Sequence, residues 1–213
     1  MAQNRAELPD LGQRSNDEIL QLLENGEIRP YDRVHYRGDT WTPLVNLFAL
    51  RADYQAVAKV LAMGADPTAV DSSRCSSVYA AVKGGNIRIV EKLLQLGASA
   101  NLADGGAGLT PLCIAACAGR SDIVKLLLDH GAISDVVTRG PGIRKWPLVY
   151  AVESGDKATV LTLLERKCST KLKFGLSNLS IMSFLTADIS PDIRQVVLEA
   201  VNAQKHMGIA GAP

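Results

Sequence analysis

A start signal recurs along this chain at nearly constant spacing. Thr42, Ser76, Thr110, Trp146 and Ser180 each open an apolar run, at steps of 34, 34, 36 and 34 residues. A fixed period in this range marks supersecondary units that bury their apolar faces only by stacking on one another. The clearest copy runs from Leu109-Thr110-Pro111-Leu112 to Asp129-His130-Gly131-Ala132 and reads as helix, turn, helix. Thr110 to Gly131, Ser76 to Gly97 and Trp146 to Lys167 each span 21 residues, and Thr42 to Gly64 spans 22.

The second helix of each copy carries one apolar stripe at i, i+1, i+4 and i+5. The stripes are Ala56, Val57, Val60 and Leu61; Ile89, Val90, Leu93 and Leu94; Ile123, Val124, Leu127 and Leu128; and Thr159, Val160, Leu163 and Leu164. Ile193, Val197 and Leu198 continue it near the end, and Ile19, Leu22 and Leu23 begin it. Pro43 and Pro111 suit the first helical turn, where a missing N–H is harmless. Gly64, Gly97 and Gly131 suit a left-handed helix end. Lys167 takes that place in the fourth copy, at about 1 kcal/mol if the backbone is kept. Looser geometry is therefore expected after it.

These residues resemble the ankyrin repeat. Gly108, Thr110, Pro111, Leu112, Ala115, Ala116, Gly119, Ile123, Val124, Leu127, Leu128, Gly131 and Ala132 match its pattern. The resemblance implies an all-α fold, an ankyrin-type α-solenoid of stacked helix–turn–helix repeats with short loop or β-turn fingers. It covers a single domain at 15–203: an N-cap helix at 15–28, repeats at 38–67, 72–101, 106–135 and 142–170, and a capping repeat at 176–203. Residues 1–14 and 204–213 read as flexible ends. The family's His after Thr-Pro-Leu is replaced by Val45, Tyr79, Cys113, Val149 and Ser183, so packing must supply what that His usually bonds.

The caps have their own signals. Ser15 and Glu18 form a capping box, and Ser190-Pro191-Asp192 is a strong helix start. Hydrophobic residues make up 47% of the chain and aromatics 5%, which suits thin layers of small side chains. Cys75, Cys113, Cys117 and Cys168 form no C-x-x-C pair and read as small buried thiols in a reducing compartment. The N-terminus shows no secretory h-region and no run is long enough to span a bilayer, so a cytoplasmic location is expected. A signal read by a specialised bacterial secretion system would escape this reading.

The formal net charge of +1 gives no global attraction to nucleic acid or acidic membranes. Two loops are locally different. Residues 29–41 interleave Arg29, Arg33 and Arg37 with Tyr31, Tyr36 and Trp41, residue types enriched at binding hot spots. Residues 139–146 display Arg139, Arg144 and Lys145, and Trp146 there reads as structural. With Arg74 these loops form a basic edge. In the family, partners are held by finger tips and the exposed side of the first helices. By resemblance this maps to Asp39 and Trp41; Ser72, Ser73, Cys75 and Lys83; Gly106, Leu109, Cys117 and Ala118; and Ile143, Lys145, Glu153 and Ser154.

The partner-binding candidates are thus Arg33, Tyr36, Arg37, Asp39, Trp41, Ser73, Arg74, Lys83, Leu109, Arg139, Ile143, Arg144, Lys145 and Glu153. No phosphate loop, H-E-x-x-H or G-x-S-x-G occurs, and His35, His130 and His206 share no unit. No catalytic, cofactor or metal residue is assigned. The expectation is a monomeric, non-enzymatic protein-interaction module acting as adaptor, inhibitor or effector. The alternative is nucleic-acid or anionic-surface binding through the basic edge, against which the near-neutral charge argues.

Overall fold

The computed structural model describes residues 11–35, 40–139, 144–174 and 177–209 of the chain. The chain divides into two compact units, Met1–Gly106 and Ala107–Pro213. The division falls in the loop before the third start, Thr110.

Unit 1 begins with a short 3-10 turn, Leu11–Gln13, and α1, Asn16–Glu24. The expected capping box is present: the Ser15 side chain accepts from the Glu18 N–H, and Glu18 accepts from the Ser15 N–H. Ile19 and Leu23 bury the inner side of α1. An antiparallel hairpin follows, β1 (Arg33–His35) with β2 (Trp41–Pro43). Two helical pairs complete the unit: α2 (Leu44–Leu50) with α3 (Tyr54–Ala62), and α4 (Ser77–Gly84) with α5 (Ile87–Gln95). Pro43 is not in the first helical turn as the sequence suggested. Its residue belongs to β2, opposite Arg33, and the helix starts one residue later.

Unit 2 holds α6 (Pro111–Cys117) with α7 (Ser121–Asp129), then α8 (Pro147–Ser154) with α9 (Lys157–Glu165). A second hairpin, β3 (Lys171–Phe174) with β4 (Ser177–Ser180), follows. A 3-10 turn, Ile181–Phe184, and α10 (Pro191–Ile209) close the chain. The last repeat therefore lacks a full first helix. The start at Ser180 still caps, its hydroxyl accepting from the Met182 N–H. The last helix, α10, runs to Ile209, into the residues read from the sequence as a tail, and Gln204 is tied down. Its Oε1 accepts from the Thr170 N–H at 3.1 Å and the Thr170 hydroxyl at 2.6 Å, and its Nε2 donates to the Cys168 carbonyl at 3.2 Å.

The two kinds of helix differ in burial, as stacking requires. First helices are covered on nearly every side; α2 buries Leu44 through Ala49 without interruption. Second helices bury only the predicted stripe: Ala56, Val57 and Val60, then Ile89, Val90 and Leu93, then Ile123, Val124 and Leu127. Each such Val, Leu or Ile contributes roughly 1.5–3 kcal/mol on leaving water. Ion pairs on the second-helix side join successive second helices: Lys59 with Glu24 of α1, Arg166 with Asp129, and Lys157 with Asp192 at 3.5 Å.

Lys167 ends the fourth pair in the same backbone form that glycine gives the earlier ones. It adopts φ +60°, and its N–H donates to the Leu164 carbonyl at 2.9 Å. Cys168 then donates to Leu163 at 3.0 Å. Gly131 and Ala132 make the same two bonds to Leu128 and Leu127, with Gly131 at φ +78°. Packing holds the left-handed end although the side chain disfavours it. The cysteines also depart from the sequence reading. Cys113 and Cys168 are buried, but Cys75 is half-buried and Cys117 is exposed; all four are free thiols.

Candidate protein-docking surface

The surface of unit 1 is set by its hairpin. Val34 faces Thr42 across the strands, and both are buried. Side chains alternate along a strand, so Arg33, His35 and Trp41 turn the other way. Arg33 is exposed, and Trp41 keeps 38% of its surface in water. The Trp41 ring leans on His35 with centroids 3.6 Å apart and planes at 44°. Trp41 thus seals the hairpin with one face and presents another.

The next finger is bolted to this hairpin. The Ser72 N–H donates to the Trp41 carbonyl at 3.0 Å, and the Trp41 N–H donates to the Ser72 hydroxyl at 3.1 Å. Asp71 Oδ1 accepts from the N–H groups of Ser73 and Cys75, both at 2.8 Å, which curls the tip tightly. Arg74, at the apex, is forced to φ +63°. The Gly105 N–H donates to the Ser73 carbonyl at 2.9 Å, bringing the following loop alongside. A Cβ on Gly105 would stand 2.7 Å from that carbonyl and 3.3 Å from the Arg74 Cβ, so this approach needs glycine.

Behind the finger, Tyr79 occupies the place of the family's His. Its hydroxyl lies 3.5 Å from Asp104 Oδ2, too far for a strong bond. Burial, then Asp104, push the Tyr79 hydroxyl well above its ordinary value. Burial, then Asp71 and Asp104, push the Cys75 thiol up to about 11, with the exposed Lys83 opposing. Both groups stay neutral at physiological pH.

Unit 2 carries its own finger. The Arg139 N–H donates to the Ala107 carbonyl at 2.8 Å, and the Thr138 N–H donates to the Lys145 carbonyl at 2.8 Å. Lys145 is engaged: its Nζ donates to Glu153 Oε2 at 2.7 Å and lies 5.6 Å from the Tyr150 ring centroid. Trp146 is fully buried, donating its indole N–H to the Ser169 carbonyl at 2.9 Å and meeting Phe184 edge-on at 5.8 Å.

Of the sequence candidates, Tyr36, Arg37, Asp39 and Ile143 lie outside the described residues. Arg33, Trp41, Ser73, Arg74 and Lys83 all lie in unit 1 and are exposed, and the Trp41–Ser72 pair ties the hairpin to the finger. On unit 2, Arg139 and Glu153 are exposed, while Leu109, Arg144 and Lys145 are half-buried. Sequence reasoning missed His35, Gly105 and Tyr150. The period-two pairing of His35 with Trp41 could have shown the first; nothing local marked the others. Among the described residues no group of His, Cys, Asp and Glu side chains is placed to hold a metal ion. No helix among them is long and apolar enough to cross a membrane.

Residues 77–173 match the family model for ankyrin repeats, in 3 copies. The matched stretch carries ankyrin repeats. The mouse 2-5A-dependent ribonuclease is 46% identical over 69 residues, covering 32% of this chain and 9% of that protein. The human ARF GTPase-activating protein GIT1 is 31% identical over 139 residues, covering 64% of this chain and 17% of that protein. Protein PhlB of Serratia liquefaciens is 30% identical over 124 residues, covering 55% of each. The chain therefore spans a small part of the eukaryotic relatives and about half of the bacterial one. Ankyrin repeats mediate protein–protein interaction. The finger tips carry Trp41, Arg74 and Arg139, and the first-helix ends carry Lys83, Cys117 and Glu153, all of them exposed.

Proposed function

We propose that this chain is a non-enzymatic adaptor, inhibitor or effector that captures one protein partner on its finger tips and adjoining first-helix ends. The observation that carries the reading is the anchored finger of unit 1. Backbone bonds fix Trp41 and Arg74 in place, yet both side chains stay in water. A backbone already ordered loses little freedom on binding, and Trp and Arg are common anchors of interfaces. A structural role alone leaves Arg74 unexplained, since its backbone conformation favours glycine.

The relatives named for a ribonuclease and a GTPase-activating protein share only a small part of their length with this chain. Their activities are not needed to account for the surface. The test is affinity purification with the intact chain, followed by Trp41→Ala and Arg139→Glu. Loss of the captured protein with an unchanged melting temperature supports the reading. Full capture by both variants would move the site away from the fingers.

A further inference from the structure

The charges of unit 1 are distributed unevenly between its faces. On the side of the second helices Lys59 and Arg88 are engaged, while Lys92 has no side-chain partner among the described residues. Lys59 pairs with Glu24, and Arg88 lies 4.0 Å over the Tyr54 ring. At the N-terminal end, Arg51 donates to the carbonyls of Gly12 and Arg14 and to Asn16 Oδ1, each at 2.8 Å. Around Trp41 the pattern reverses. Arg33, Arg74 and Lys83 are exposed and form no ion pair or hydrogen bond through their side chains among the described residues. The nearby acid Asp71 is turned inward, its Oδ1 spent on the N–H groups of Ser73 and Cys75. The finger thus consumes its own acid and offers its cations outward.

We propose that this face of unit 1 docks an acidic polypeptide segment: spaced Asp or Glu side chains meet Arg33, Arg74 and Lys83, and an apolar side chain covers Trp41. The proposal rests on the interaction reading above and names the chemistry of its partner. Charge complementarity selects the occupant. A nucleic acid fits less well. The net charge of +1 supplies no long-range attraction to a polyanion. Arg74 supplies the specificity, because its guanidinium can grip a carboxylate through two parallel N–H bonds.

The experiment selects random displayed peptides on the immobilised intact chain, then measures the enriched sequences as fluorescent synthetic peptides by polarisation. The expected pools are rich in Asp and Glu. Their Glu→Gln versions, and the variants Arg74→Glu and Lys83→Glu, are expected to weaken binding about fivefold per charge, as partly exposed pairs do. Lys125→Glu, on the exposed side of α7, should leave it unchanged. Circular dichroism melts confirm that each variant folds, and Arg74→Gln serves if Arg74→Glu does not. Enriched peptides that are neutral or basic, yet still lost with Trp41→Ala, overturn the acidic partner and leave the interaction reading standing. Failure of any peptide to bind the fingers overturns both. Tighter binding of an oligothymidylate than of the acidic peptides, falling steeply with salt, overturns the proposal in favour of nucleic acid.

Discussion

Lys167→Gly should stabilise the protein, although it removes a side chain and adds none. Lys167 sits at φ +60°, the place filled in the preceding pairs by Gly64, Gly97 and Gly131 at +95°, +87° and +78°. A left-handed L-residue costs about 1–2 kcal/mol. Glycine returns part of that through its larger freedom in the unfolded chain, about 0.5–1 kcal/mol. The net gain is about 1 kcal/mol, and for a chain of this size that is a rise of about 2–4 °C in melting temperature. The reciprocal change, Gly131→Lys, is the control. Nothing lies within 4 Å of a Cβ at Gly131, so any loss there is backbone strain and not a clash. Urea unfolding followed by fluorescence reports both, because Trp146 is fully buried in the same unit while Trp41 is already wet. Lys167→Gly should move the midpoint up and Gly131→Lys should move it down by a similar amount. If neither moves it, left-handed strain at these ends is negligible and the argument fails.

Other outcomes follow from single groups. The Thr159 hydroxyl is fully buried with no partner among the described residues, so Thr159→Val should raise stability by about 1–3 kcal/mol in a urea titration. Gln204→Ala removes three hydrogen bonds that hold α10 to Thr170 and Cys168, and hydrogen exchange should show faster opening of the last turns of α10. The Cys75 thiol is raised from 9.0 to about 11, so the folded state holds its proton longer than the unfolded state. Stability from this group is complete below pH 9.0 and is lost as pH rises toward 11, and Cys75→Ser should flatten that decline in alkaline melts. Iodoacetamide at neutral pH should label the exposed Cys117 first, Cys75 slowly, and the buried Cys113 and Cys168 only on unfolding, as mass spectrometry of digests would show.

The repeat was legible because it depends on short-range facts. Thr110 and Ser76 cap the helices they precede, accepting from the N–H groups of Cys113 and Tyr79, and both signals stand within three residues of their targets. The stripes needed only helical periodicity. Trp146 was legible as structural because it replaced a buried Thr in an aligned series. What escaped was decided by distant partners. Pro43 was drawn out of the helix by pairing with Arg33. Lys167 was held left-handed by the packed pair on which it ends. Lys145 and Glu153 were each read as open to a partner, but they pair with each other across eight residues. The exposure of Cys117 follows from its place at the open end of α6, which the match to the repeat already implied.

Three non-glycine residues hold positive φ among the described residues, and their settings separate cost from use. Ala52 and Lys167 follow helices whose counterparts end in glycine: Gly85, Gly119 and Gly155 for the first helices, Gly64, Gly97 and Gly131 for the second. Their conformation is imposed by packing, and replacing either by glycine should release strain at no functional loss. Arg74 is different. It stands two residues before its start, Ser76, as Gly108 at φ +70° stands two before Thr110. Glycine therefore serves the same finger in the next repeat. Unlike Ala52, Arg74 carries a full charge, exposed and unpaired among the described residues, beside an exposed tryptophan. Strain kept where a strain-free residue is available, and placed beside an exposed tryptophan, is what a binding position looks like. Arg74→Gly should then stabilise the chain as Lys167→Gly does, yet weaken capture of the partner. A variant that gains stability and keeps full binding would reduce Arg74 to an ordinary surface residue.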